Sequence, residues 1–270
     1  IPYAEKAASH LIEDFEKTEK EIVRLEEAKA LRTSLIYSEA YKKRKRARQI
    51  LIASLLKSIQ ILKIYYGVIE VNYEKYFEVL QMQEKYFIAK EVEIQENLLY
   101  AEDAFNRQKD MNDPESKIYQ ALLKELQDRK GESYIFIYEK HLAITSIELD
   151  KGVLYQNMKK FDSAVQALSN VIRNCQVINA ATPVNVLNEL KAKESNARLN
   201  LIDIYCILST ENNASQQLNP QKFLELLPKM ESHLKTINIE KNDPQYQRFV
   251  TVITKFAKYK ELALKLSEKK

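Results

Sequence analysis

The chain has 270 residues, room for one or two domains, with 45% apolar and 30% charged side chains and a net charge of +4. Three glycines and six prolines supply too few breakers for the turns of a β-sandwich or a parallel sheet, and too few glycines for a phosphate-cradling loop. What remains is a soluble chain of long helices with short connections.

Tyr3 to Arg32 reads as one amphipathic helix, with Leu11, Phe15, Ile22 and Leu25 at coiled-coil spacing and Thr18 in the gap. A bend near Thr33-Ser34 is compatible with the pattern. Lys42–Arg48, KKRKRAR, carries six positive side chains. Such runs contact nucleic acid or anionic lipid, which makes Lys42, Lys43, Arg44, Lys45, Arg46 and Arg48 a candidate anionic-surface contact. Charge arithmetic favours pairing inside the molecule. Residues 1–32 hold 6 basic and 8 acidic groups, 33–67 hold 8 and 1, and 68–112 hold 5 and 10. A basic helix between two acidic ones is expected of a self-neutralising bundle.

Ile50–Ile69 is dense in apolar residues, but Lys57, Gln60 and Lys63 interrupt it. The expectation is a helix buried on most sides, not a membrane span. Tyr73 to Asn106 then runs as a long helix. One heptad position is apolar throughout (Tyr73, Leu80, Phe87, Ile94, Ala101), while Glu84 and Glu91 break its partner seam. That pattern suits packing against several helices better than a dedicated coiled-coil dimer.

The second half is punctuated by Asp113-Pro114, Thr182-Pro183, Asn219-Pro220 and Asp243-Pro244, each a polar cap followed by a first-turn proline. With Gly131 as a helix stop, these signals predict helices near 114–130, 132–158, 161–180, 183–209, 220–236 and 244–268, with Pro228 kinking or splitting the fifth. Glu211–Leu218 is the most loop-like stretch.

Within this half, Ile147–Ile172 reads as a helix, a tight turn at Lys159–Lys160 and a second helix. Two helices that cross closely need small residues at the crossing, and Gly152 and Ala164 supply them. Tyr155 and Phe161 fill the space beside the turn, and Leu168 and Val171 continue the apolar stripe. These six positions resemble the small, aromatic and packing positions of a tetratricopeptide repeat (TPR), over one unit of about 34 residues. Ile64–Leu80 is a weaker echo, with Tyr76 where the small residue would stand. A plain helical hairpin with Gly and Ala at its crossing is the alternative.

The resemblance implies neighbouring units, because one unit cannot bury its faces alone. It also implies that the first helix lines a concave surface, with Ser146, Leu149, Val153, Gln156 and Asn157 pointing into a groove. Leu149 and Val153 suit an apolar segment or helix there better than a terminal carboxylate.

Chemistry is not legible. His10, His141 and His233 stand apart, no HExxH or Glu-x-x-His motif is present, and Cys175 and Cys206 are too far apart for a metal motif and read as buried free thiols. The expectation is therefore an all-α protein. Long coiled-coil-like helices form an N-terminal bundle domain over 1–112, and antiparallel hairpins form a TPR-like α-solenoid over 113–270. Its expected work is non-catalytic: a scaffold or adaptor without cofactor or metal that binds another protein, with a second copy of itself as a further partner. The alternative is a helical domain that binds an anionic membrane surface or nucleic acid through 42–48. A cytoplasmic location is expected. An extracytoplasmic or membrane-tethered one, through an N-terminal segment outside this chain, is the alternative.

Overall fold

The computed structural model describes residues 1–27, 35–177, 182–210, 217–237 and 239–268, and every regular element among them is helical. The α-helices are α1 (Pro2–Glu27), α2 (Leu35–Ile64), α3 (Tyr73–Gln108), α4 (Lys117–Asn157), α5 (Phe161–Gln176), α6 (Val184–Leu208), α7 (Pro220–Thr236) and α8 (Tyr246–Ser267). The chain forms two compact units, 1–140 and 141–270, and the division falls inside α4. The anticipated bend at Thr33-Ser34 and most of the 211–218 loop lie outside the described residues.

In the first unit α2 packs against α1 and α3. Leu51, Leu55, Ile59, Leu62 and Tyr66 recur at helical spacing and are all buried. They meet Ala8 and Ile12 of α1 and Val79, Tyr86 and Ala89 of α3. The expectation that this segment is buried on most sides is corrected: two neighbours cover one face, and Ile50, Ile61 and Ile64 on the other stay exposed. Ser38–Ile69 is the one helical stretch among the described residues that is long and apolar enough to cross a membrane.

Helix α2 ends in a π-helical turn, Tyr65–Ile69. The chain then reverses through Val71, whose φ of 51° lies in the left-handed region that a β-branched residue rarely enters. Asn72 recovers the geometry by capping α3, its side-chain oxygen accepting from the Lys75 N–H at 3.1 Å. One of the two glutamates interrupting the α3 seam has an answer from α4: Lys140 donates to Glu91 at 2.5 Å.

The expected break at Gly131 is not there. Helix α4 runs unbroken from Lys117 to Asn157, because a glycine inside a helix costs only about 1 kcal/mol and its neighbours are strong helix formers. The opening of α4 also shifts. Pro114 sits in the preceding turn, and Ser116 caps the helix by accepting from the Tyr119 N–H at 3.2 Å. Asn219-Pro220 behaves as expected: Asn219 accepts from Lys222 N–H at 3.1 Å, with proline in the first turn. Helix α7 continues through Pro228 without splitting.

In the second unit α6 is the spine, with twelve buried residues, and packs on α5, α7 and α8. Helix α5 buries Ala164, Ala167, Leu168, Val171 and Cys175. At Gly152 of α4 an added Cβ would lie 2.6 Å from Leu168 Cγ and Cδ2, so the two helices touch where only glycine fits. Phe223 of α7 packs against the rings of Phe256 and Tyr259 of α8.

Candidate binding surface

The basic run is divided by helix phase. Arg48 is fully buried. Its Nε donates to Glu93 Oε2 at 2.8 Å and its Nη2 to Glu96 Oε2 at 2.5 Å. Arg44 donates to Glu96 Oε1 at 2.9 Å, stacks over the Tyr41 ring at 4.9 Å, and lies 3.7 Å from Glu19 of α1. Tyr41 and Gln49 add donors to Glu96 and Glu93. Burial works to raise the Glu93 carboxyl. Hydrogen bonds from Gln49 and Arg48, with the charges of Arg48 and Lys45, outweigh it and leave the group below its ordinary range. Glu96 is lowered too, Arg48, Arg44 and Tyr41 overcoming its burial. Of the six cations proposed to meet an anionic surface, Arg48 is therefore withdrawn from solvent and Arg44 is bound to carboxylates. Lys42, Lys43 and Arg46 remain exposed and Lys45 half-exposed.

The candidate groove residues lie in the second unit, on the last turns of α4. Leu149, Val153 and Gln156 recur at i, i+4 and i+7, on one face. All three are half-buried, as is Ser146, whose hydroxyl donates to its own helix at Leu142 O, 2.8 Å away. Asn157 is exposed. Gln156 reaches another helix: its Nε2 donates to Asp203 Oδ2 of α6 at 2.9 Å. The other oxygen of Asp203 accepts from Lys255 Nζ of α8 at 2.7 Å.

A second polar group lies on the same two helices. Arg248 of α8 sets its fork on two amide oxygens of α6, Nη1 on Asn196 Oδ1 at 2.7 Å and Nη2 on Asn200 Oδ1. Asn200 is almost fully buried and donates back to the Asn196 carbonyl and side-chain oxygens at 2.9 and 3.0 Å. Sequence reasoning missed Asn196, Asn200, Asp203, Arg248 and Lys255. The readable signal was the spacing alone: Asn196, Asn200 and Asp203 recur at i, i+4 and i+7 and so share one face of α6.

The histidines and cysteines of the second unit are held in structural contacts. His141 lies 2.9 Å from the Asn174 carbonyl. His233 accepts from Arg198 at 3.2 Å and stacks on Tyr205; burial and the Arg198 charge push it down to about 4. Cys175 and Cys206 are free and buried, and burial pushes their thiols up to about 12 and about 11. Among the described residues no group of three His, Cys, Asp or Glu side chains is arranged to hold a metal. No protein-family model, curated protein or solved structure matches the chain.

Proposed function

We propose that this chain is a non-catalytic scaffold or adaptor that binds another protein through stacked, TPR-like helical hairpins. The observation that carries the reading is the line of side chains from Gln156 through Asp203 to Lys255. Antiparallel hairpins stacked side by side bring the first helix of each beside the first helix of the next. Bonds from α4 to α6 and from α6 to α8, skipping α5 and α7, are what that arrangement requires. The close approach at Gly152 supports the same geometry, since a repeat's two helices meet at a small residue. In this reading Leu149, Val153 and Gln156 face the occupant, which is a peptide segment or helix of another protein or of a second copy of this chain.

The exposed Lys42, Lys43 and Arg46 favour a second reading, attachment to anionic membrane or nucleic acid. It is the weaker one, because the two arginines best suited to phosphate are already held by carboxylates.

The two separate in a pull-down from native extract at low and high salt. Wild type is run beside Leu149→Glu/Val153→Glu and Lys42→Glu/Lys43→Glu/Arg46→Glu, each checked for helix content. The adaptor reading expects a protein partner that survives high salt and is lost only with the Leu149/Val153 variant. Salt-sensitive capture of lipid or nucleic acid, lost only with the charge-reversed variant, overturns it.

A further inference from the structure

We propose that Arg248 is the anchor of the second unit's α6–α8 face for a carboxylate carried by the bound protein segment. The inference rests on the adaptor reading and gives its partner a chemistry.

An arginine fork matches a carboxylate, which accepts two parallel hydrogen bonds and cancels the charge. Here the fork rests on two neutral amide oxygens instead, Asn196 Oδ1 and Asn200 Oδ1. They orient the guanidinium and leave its charge intact. Other bonded cations of the second unit have a carboxylate in contact: Lys151 has Glu148, Arg198 has Glu194, Lys255 has Asp203, Lys260 has Glu231 and Lys265 has Glu261. Among the described residues no carboxylate lies within ion-pair distance of Arg248, an exposed residue whose guanidinium is partly desolvated; that burial works against its charge, and the more distant Asp203 only partly offsets it.

The seat is built. Asn200 is 1% exposed, a placement that costs free energy unless its polar atoms are used. Its amide holds Asn196 and its oxygen holds Arg248. A guanidinium fixed in this way surrenders little side-chain entropy when an anion arrives. Residues 141–270 carry 18 basic and 13 acidic side chains, net +5, so an acidic partner is attracted on approach. A peptide carboxylate fits better than a nucleic-acid backbone. Phosphate tracks need several uncompensated cations, whereas the neighbouring Lys255 is already taken.

The test selects dodecapeptides from a random displayed library on the full chain, as wild type and as Arg248→Gln, Arg248→Lys and Asn196→Asp. Wild type is expected to enrich Asp or Glu several-fold at one register position. Arg248→Gln loses that enrichment and Arg248→Lys keeps part of it. Asn196→Asp retains an acceptor under the fork but cancels the charge, so it loses the enrichment with an unchanged melting temperature, which separates charge from folding. A synthetic selected peptide with its acid changed to the amide binds wild type about tenfold more weakly by fluorescence anisotropy, and binds Arg248→Gln no differently from its parent. Peptides without acidic enrichment, or the same peptides selected by Arg248→Gln, overturn the anchor and leave the adaptor reading standing. Failure of wild type to select any peptide overturns both. Arg248-dependent binding of labelled oligothymidylate in place of peptide assigns the anchor to phosphate and overturns it too.

Discussion

Two glycines inside one helix obey opposite rules. At Gly131 a Cβ meets nothing within 4 Å, so Gly131→Ala is expected to stabilise by about 1 kcal/mol, the ordinary gain in helix propensity. At Gly152 the same Cβ meets Leu168 at 2.6 Å, with the Leu168 backbone nitrogen at 3.5 Å. The overpacking cost of about 1–3 kcal/mol outweighs the propensity gain there, and Gly152→Ala is expected to destabilise by about 1–2 kcal/mol. Urea melts of both variants check the pair, and a stable Gly152→Ala protein would mean that the two helices do not touch. Val71 and Lys159 hold left-handed φ values of 51° and 57°. Lys159 ends α4 with its N–H on Gln156 O, and the Lys160 N–H reaches back to Tyr155 O at 2.8 Å, a turn that normally employs glycine. Lys159→Gly and Val71→Gly are each expected to stabilise by about 1 kcal/mol in the same assay. The Gly152 crossing was legible because Gly, Ala and aromatics fell at fixed offsets. The strain at Val71 was not, since nothing in a valine announces a turn.

At the scale of elements, α2 and α3 are tied by the Arg44, Arg48, Glu93 and Glu96 cluster. Both carboxyls are lower in the folded protein than in the unfolded chain, so their contribution is complete above the ordinary carboxylate value of 4.5. It is lost as pH falls through their lowered folded values. Arg48→Met removes the buried cation and leaves Glu96 with Arg44 and Tyr41 and Glu93 with Gln49, a loss of about 2–3 kcal/mol at pH 7. Without Arg48 the burial that works to raise both carboxyls is less fully opposed, so the loss is expected to shrink between pH 7 and pH 4.5 as they take up protons. Denaturant melts at the two pH values decide it, and a loss that stays constant or grows on acidification sinks the account. Sequence arithmetic showed that a basic helix lay between acidic ones. Which cations turned inward depended on the rotation of α2 about its axis, a phase set by the buried stripe from Leu51 to Tyr66. Helices bounded by strong caps, such as α7, were legible in the same way. Helix α4 was not, because a single glycine stops a helix only when its surroundings also favour a turn.

For the whole molecule, the sequence conveyed an all-helical chain and little of how its polar face is assembled. Gln156 and Asp203 are 47 residues apart, and Arg248 stands 48 residues from Asn200. No local pattern joins them; only the packing of α6 against its neighbours does. That packing has a consequence for kinetics. The chain has two cysteines, both in 141–270, and none in 1–140. Each is buried, and a thiol must be both reached and ionised before it reacts. An alkylating reagent at pH 8 therefore times the opening of the second unit and is blind to the first. Gly152→Ala is expected to speed alkylation of both thiols by the same factor, about tenfold for each 1.4 kcal/mol lost, if α5 and α6 open together. If Cys175 quickens and Cys206 does not, α5 detaches alone, and the unit breathes one helix at a time.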